Sequence, residues 1–317
     1  MLRRPTASRR LRVGLRVAVA LAAVGLGVLA TLGRWAEVRA AAGHLGPAAI
    51  GASLVAVLAG LFATMLSWRA VLADLGSALP IRTAMRIFFL GQLGKYLPGS
   101  VWWLIGQAEL GSDQGVPRRR TAAAGVVAVA LSLIAGLVLA ALLLPLLAAE
   151  ATTRYWPAFA VVPLLIATLH PRVINGVLNR ALRLARREPL EHPISGRGVL
   201  AGFVLATAAW VAFGVQVADV AADLGASGPR TVALSIGGFA LAWSVGFLAV
   251  VVPAGIGVRE AALVAALAPE LSAGSALVVA VLSRVLMFGA DVAWAGFAAG
   301  VAGPPSEPAR SDRVQPI

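Results

Sequence analysis

Six apolar stretches, most of them as long as a bilayer's hydrocarbon core is thick, dictate what this chain can become: Val13–Leu32, Gly46–Ser67, Thr121–Ala149, Trp156–His170, Gly198–Val220 and Gly274–Gly300. About 20 helical residues cross roughly 30 Å of hydrocarbon. Thr121–Ala149 is long enough to tilt. Trp156–His170 is short and contains Pro163, so it is the marginal member. No water reaches the bilayer core, so a spanning segment must satisfy its own backbone groups, and an apolar run of this length does so as a helix. Hydrophobic residues make up 59% of the chain and charged residues 13%, with a mean hydropathy of +0.86, far from an ordinary soluble domain. The expected class is an all-α integral membrane protein. Ala40-Ala41-Ala42 resembles a leader cleavage site, but Val13–Leu32 is longer than a leader's core and is expected to stay as an anchor.

Two further segments are apolar but interrupted. Ala84–Leu110 is broken at Pro98-Gly99, and Thr231–Ala268 at Pro253-Ala254-Gly255. Charge says where their ends lie. Of the 27 Lys and Arg residues, 20 fall on one side of the threaded chain: Arg3, Arg4, Arg9, Arg10, Arg12, Arg16, Arg69, Arg82, Arg86, Arg118–Arg120, Arg172, Arg180, Arg183, Arg186, Arg187, Arg197, Arg310 and Arg313. The opposite loops hold Arg34, Arg39, Arg154 and Arg230. The positive-inside rule then places both termini in the cytoplasm of a bacterial-type plasma membrane. Arg82 and Arg86 open Ala84–Leu110 and Arg118–Arg120 follow it, so both its ends face the cytoplasm. Each arm is about a dozen residues, too short to cross. A re-entrant hairpin turning at Pro98-Gly99 fits. Thr231–Ala268 begins and ends outside by the same reasoning, but its first arm is long enough to span, so a hairpin and two full crossings both remain open.

Superposing the two breaks gives an offset of about 155 residues, which roughly aligns Gly46–Ser67 with Gly198–Val220 and Thr121–Ala149 with Gly274–Gly300. The chain reads as one membrane domain over residues 1–303, built from repeats 46–149 and 198–300 of opposite orientation, followed by a short polar cytoplasmic tail, 304–317. Inverted repeats with paired broken helices near the midplane are a transporter signature.

Three basic residues remain, all inside apolar sequence: Lys95, Arg259 and Arg284. Lys95 is the one lysine among 26 arginines. An ammonium is a compact point charge, not interchangeable with a planar guanidinium. An ionisable group at membrane depth is a functional-site hypothesis, against which stands a simple snorkelling anchor. Glu260 and Asp291 are the nearby counter-ion candidates. Asp291 follows Arg284 by seven residues on one helix face, two turns away. If the cations are in excess, they suit a phosphate or pyrophosphate, with Pro98, Gly99, Gly255 and Gly257 opening half-helices whose N-terminal N–H groups aim at the same anion. If Arg259–Glu260 and Arg284–Asp291 neutralise each other, they only lock helices together. Tyr96 either donates to a headgroup or sits at the interface. Trp35, Trp68, Trp102, Trp103 and Trp156 read as interfacial belt residues.

Several classes drop out. There is no Cys, so no disulfide framework and no thiol chemistry. His44, His170 and His192 are far apart, at segment ends or in loops, and do not form a metal set. Phosphate-loop, HExxH and GxSxG motifs are missing. The net charge of +13 follows from topology and lipid attraction, with no basic module interleaved with aromatics to bind nucleic acid.

GQLGKYLPGSVWW (Gly91–Trp103), followed by Glu109, and VVPAGIGVREAAL (Val251–Leu263) resemble the two signature regions of the lysylphosphatidylglycerol synthase transmembrane family, which comprises flippase-like membrane domains. The arginine in SRVLMFGADVAW (Ser283–Trp294) resembles one that family carries in its final helix. The resemblance covers about Val13 to Gly300. It implies lipid translocation, of an aminoacylated phospholipid or a polyprenyl-linked intermediate. It also implies a stand-alone member: the soluble synthase domain is not expected after the tail, and aminoacyl transfer is not carried over. The expectation is a non-enzymatic transporter of a phosphate-containing lipid without a cofactor, compatible with a separately encoded enzyme partner. The alternative is a membrane enzyme or accessory subunit acting on a lipid-linked substrate, and a third reading is a scaffold for envelope proteins. The oligomeric state is not written in these patterns.

Overall fold

The computed structural model describes residues 35–96, 101–146, 156–184, 186–248 and 257–301. Val13–Leu32, Pro98, Gly99 and Pro253–Gly255 lie outside the described residues. Those described form helices joined by turns. In chain order they are α1 (Trp35–Ala42), α2 (Pro47–Asp74), α3 (Ile81–Gln92) running into a 3₁₀ turn (Leu93–Tyr96), α4 (Trp102–Ser112), α5 (Arg118–Leu146), α6 (Trp156–Thr168), α7 (Pro171–Leu184), α8 (Gly196–Asp223), α9 (Pro229–Leu248), α10 (Val258–Leu267) and α11 (Ala273–Val301). Among them α2, α5, α8, α9 and α11 are long and apolar enough to cross a membrane. The marginal stretch, Trp156–His170, yields the 13-residue α6; with α7, into which the chain bends by 61°, it passes as a sixth, broken span, and it brings the chain back to the Arg119–Glu191 end of α5.

α2 and α8 form the centre of the bundle and run antiparallel, each capped by the far end of the other. Asp74, at the end of α2, accepts from the Ser195 N–H and Oγ at 2.6 and 2.7 Å, at the start of α8. Asp223, at the end of α8, accepts from the Gly46 N–H at 2.7 Å, at the start of α2. Carboxylates in these positions satisfy the orphan N–H groups of a helix start and oppose its dipole. Between the caps, Ser67 Oγ donates to Gly202 O at 2.7 Å and Ser53 Oγ to Gln216 O at 3.2 Å. Gly46 and Ser195, Ser53 and Gly202, Ser67 and Gln216, and Asp74 and Asp223 are each separated by 149 residues. The four contacts therefore exchange in pairs under one shift. The wider packing behaves the same way. Exchanging α2, α3, α4 and α5 with α8, α9, α10 and α11 maps the α2–α8 pair onto itself and the other closely packed pairs among these helices onto one another.

Both interrupted segments return to the end they start from. Arg120, in the first turn of α5, donates to Gly76 O and Ser77 Oγ at 2.8 and 2.7 Å, just ahead of α3. Arg118 pairs with Glu109 near the end of α4. With 12 and 11 residues, α3 and α4 are each about 17 Å long. At the opposite end of the bundle, Glu270 after α10 receives Thr231 Oγ1 at 3.2 Å and pairs with Arg230 Nε at 3.3 Å, both in the first turn of α9. The ten residues of α10 cannot cross. The 20 residues of α9 are long enough to cross, so this segment has one long arm and one short arm, and both of its ends lie at the same end of the bundle.

One belt residue is corrected. Trp68 is 1% exposed and tilts against Phe88, so it is core. Its apolar neighbours on α2, Val71 and Leu72, are fully buried, and the ring is pulled inward with them. Trp102 is 47% exposed, as a belt residue would be.

Candidate functional site

The first hairpin delivers Lys95 because its arms can touch. A Cβ on Gly94 would lie 2.6 Å from the Trp102 carbonyl carbon and the Trp103 nitrogen. The missing side chain lets the start of α4 close over the 3₁₀ turn, which fixes the direction of Lys95 and Tyr96. The second hairpin delivers Arg259 through another glycine. Gly257 has φ +85°, a conformation that costs other residues strain. Its N–H donates to Glu260 Oε2 at 2.6 Å, so the first turn of α10 is capped by its own carboxylate.

Lys95 and Tyr96 from the first segment and Glu260 from the second meet on α11, halfway along its length. Lys95 Nζ lies 2.6 Å from Asp291 Oδ2, and the Tyr96 hydroxyl donates to the same oxygen at 2.5 Å. Asp291 is 3% exposed. The Tyr96 ring meets Phe288 edge-on, centroids 5.1 Å apart. One turn further toward the start of α11, Arg284 pairs with the other oxygen of Glu260. Arg259 stacks its guanidinium 4.8 Å over the Phe239 ring, and no carboxylate pairs with it among the described residues. Arg284 and Asp291 lie two turns apart on one face of α11, so the two ion pairs sit side by side on one helix. A small cavity lies beside it, lined by Phe239, Arg259, Glu260, Leu263, Ser283 and Arg284 among others. Ser283 Oγ donates behind the cavity to the buried Gln216 Oε1 at 2.8 Å.

The turn of α11 that carries Asp291 is held from outside the site. Trp294 is sandwiched between Phe89 and Phe62, with centroids at 5.0 and 5.5 Å and both contacts stacked. Its Nε1–H donates to Leu58 O at 3.0 Å. α2 and α3 thereby fix the helix phase that points Asp291 at Lys95.

The counter-ions are not paired as the sequence had them. Asp291 does not serve Arg284, two turns away; it serves Lys95 from the other hairpin. Glu260 is ion-paired not with its neighbour Arg259 but with Arg284. Of the proposed residues, Lys95, Tyr96, Gly257, Arg259, Glu260 and Arg284 come together, while Pro98, Gly99 and Gly255 lie outside the described residues. Asp291 belongs to the site itself, and an acid inside an apolar helix was the signal for it. Gln216 and Ser283 carried no comparable signal. Three cations against two carboxylates leave one positive charge in excess. Such a site can hold an anion, and both carboxylates are already occupied by cations.

A family model described as the lysylphosphatidylglycerol synthase TM region matches residues 15–295. No curated protein matches the chain.

Proposed function

The chain belongs to the lysylphosphatidylglycerol synthase TM region family, and from that premise we propose that it moves a phosphate-bearing lipid between the leaflets of the plasma membrane. The observation that carries this reading is the excess of three cations over two carboxylates where the two interrupted segments, from opposite ends of the bundle, meet at mid-length of α11, with Arg259 in no ion pair among the described residues. A cation in hydrocarbon is costly without an anion, and a lipid phosphate supplies one. Asp291 and Glu260 act as resident anions. The phosphate displaces them on entry, and they retake Lys95 and Arg284 on release. That exchange keeps binding weak enough for turnover. A carboxylate held by a cation is not poised for acid–base work, which favours transport over an enzyme.

The reciprocal caps of α2 and α8, and the exchange of packed pairs between the halves, support an inverted repeat. The symmetry is broken where the site lies. Arg284 and Asp291 fall in the middle of α11, while the middle of α5 is apolar. Alternating access would rock one repeat against the other around that fixed site.

Reconstituted into vesicles, the protein is expected to speed transbilayer movement of an anionic phospholipid above the protein-free rate. Movement no faster than in empty vesicles contradicts the proposal.

Orientation follows from the arginine-rich end. Arg118, Arg119 and Arg120 gather there with Glu109, Glu188 and Glu191, and we place that end in the cytoplasm. The chain has no native Cys, so single cysteines at Ser112 or Arg186 report cleanly. In intact cells neither position is expected to react with an impermeant thiol reagent. Labelling of either from outside reverses the assignment.

A further inference from the structure

The cation site sits on the margin of an apolar stripe. On α11, Val281, Val285, Phe288 and Val292 are 48%, 60%, 52% and 49% exposed, and their spacing of three and four residues puts them on one face. Arg284 and Asp291, seven residues apart, lie along one edge of that face. Arg284 is itself 38% exposed, and Phe288 touches Tyr96. Gly289 and Gly296, next to the stripe, have nothing within 4 Å of where a Cβ would stand. A half-exposed guanidinium at mid-length of a spanning helix, beside a smooth apolar track, opens sideways toward hydrocarbon.

We propose that this track is the seat of the acyl chain of the same lipid whose phosphate occupies the Arg259–Arg284–Lys95 site, so that the substrate enters and leaves laterally with its chains still in the bilayer. This rests on reading the site as a lipid-phosphate site, and it adds the route and the second half of the substrate. Two features of the molecule single out that occupant. The track runs without a break into the cation cluster, and the surplus positive charge at its edge matches a phosphate tethered to a chain. A lipid held this way leaves no acyl surface to be exposed to water during the crossing. The headgroup alone enters the cation site at Lys95, Arg259 and Arg284.

The test uses a fluorophore on Val285→Cys, and for comparison on Val204→Cys, an exposed apolar position of α8 away from the track (55% exposed). Proteoliposomes contain either brominated-chain phosphatidylglycerol or brominated-chain phosphatidylcholine at equal mole fraction. Bromine quenches on contact with the label. At Val285 the anionic lipid is expected to quench at least about threefold more effectively than the zwitterionic one, with no preference at Val204. Arg259→Gln and Arg284→Gln, made separately in the labelled protein, are expected to reduce the preference, with thermal stability followed to confirm folding. Added inorganic phosphate is expected to leave it unchanged. Equal quenching by both lipids at Val285 overturns the proposal, as does a preference that survives both arginine substitutions. Loss of the preference on adding millimolar phosphate also overturns it, since a soluble anion would then hold the site. Transport is measured in the same vesicles. Translocation without selectivity at Val285 removes the lateral seat and leaves the proposed function standing, whereas selectivity without translocation does the reverse.

Discussion

Lys95→Ala protein is expected to fold and insert, yet to translocate lipid at least about tenfold more slowly than wild type, the effect of losing one charge-assisted hydrogen bond in a dry site. The ammonium is held at 2.6 Å from a carboxylate that is 3% exposed, so it is pre-placed, while 30% of its own side chain stays accessible to an incoming group. Lys95→Arg is expected to be impaired as well. A guanidinium keeps the charge but replaces three rotatable donors with a rigid fork. That fork grips a phosphate in two places, and release slows. The conservative substitution separates the two readings of this residue: an interfacial anchor tolerates Arg, whereas an exchanging ligand does not. Wild-type translocation by well-folded Lys95→Ala protein would remove Lys95 from the site.

The second large effect is expected at Asp291. Its Oδ2 receives both Lys95 and Tyr96, at 2.6 and 2.5 Å. Asp291→Ala leaves an ammonium and a hydroxyl without their acceptor. Breaking a fully buried pair by removing one partner costs about 3–5 kcal/mol. Lys95 can still reach water, so the expected loss is smaller, about 1–3 kcal/mol. The double variant Lys95→Ala/Asp291→Ala removes both charges, and it should be less destabilised than the two single losses added together. Denaturation midpoints in detergent for the four proteins give the coupling. Strict additivity would mean that the pair contributes no interaction energy. Function should respond differently from stability. Asp291→Asn keeps an acceptor for Tyr96 but no longer competes for Lys95, so anionic lipid should bind more tightly and leave more slowly than from wild type.

The parts of this fold written in the sequence are those set by local periodicity and by prohibitions. The length of an apolar run and the bar on unsatisfied backbone in hydrocarbon are local, and they place α5, α8 and α11 to within three residues at each end, while α2 runs two turns past its expected end, to Asp74. The short arms around Pro98-Gly99 predicted the first hairpin for the same reason. At Thr231–Ala268 length leaves the choice open, because the 20-residue α9 satisfies a full span; the contacts of Glu270 with Thr231 and Arg230 agree with the expectation that both ends lie on one side. The shift between halves was blurred too. The breaks gave about 155 residues, whereas the hydrogen bonds between α2 and α8 repeat at 149, so the second half carries extra residues between the start of α9 and its break. The reciprocal caps could not be read in advance, because Asp74 and Asp223 at the ends of apolar runs look like solvated helix ends. Their partners are 121 and 177 residues away.

For the site, composition found the cations and geometry found their partners. A lone Lys and two Arg in apolar sequence were legible as exceptions. Pairing was not, because Tyr96 and Asp291 are 195 residues apart and adjacent charges such as Arg259 and Glu260 diverge on a helix. Trp294 shows the same limit from the packing side. Its sandwich between Phe62 and Phe89 sets the direction of Asp291, and it depends on two helices that precede it by some 200 residues.

The central claim is that a cation cluster at the meeting of two hairpins carries a lipid phosphate across the membrane. Leaflet-resolved translocation in proteoliposomes tests it most directly, with wild type, Lys95→Ala and protein-free vesicles measured side by side. The predicted result is rapid exchange of anionic phospholipid with wild type and a rate near the protein-free value with folded Lys95→Ala. Wild-type vesicles indistinguishable from empty ones, or a folded variant as fast as wild type, would contradict the account.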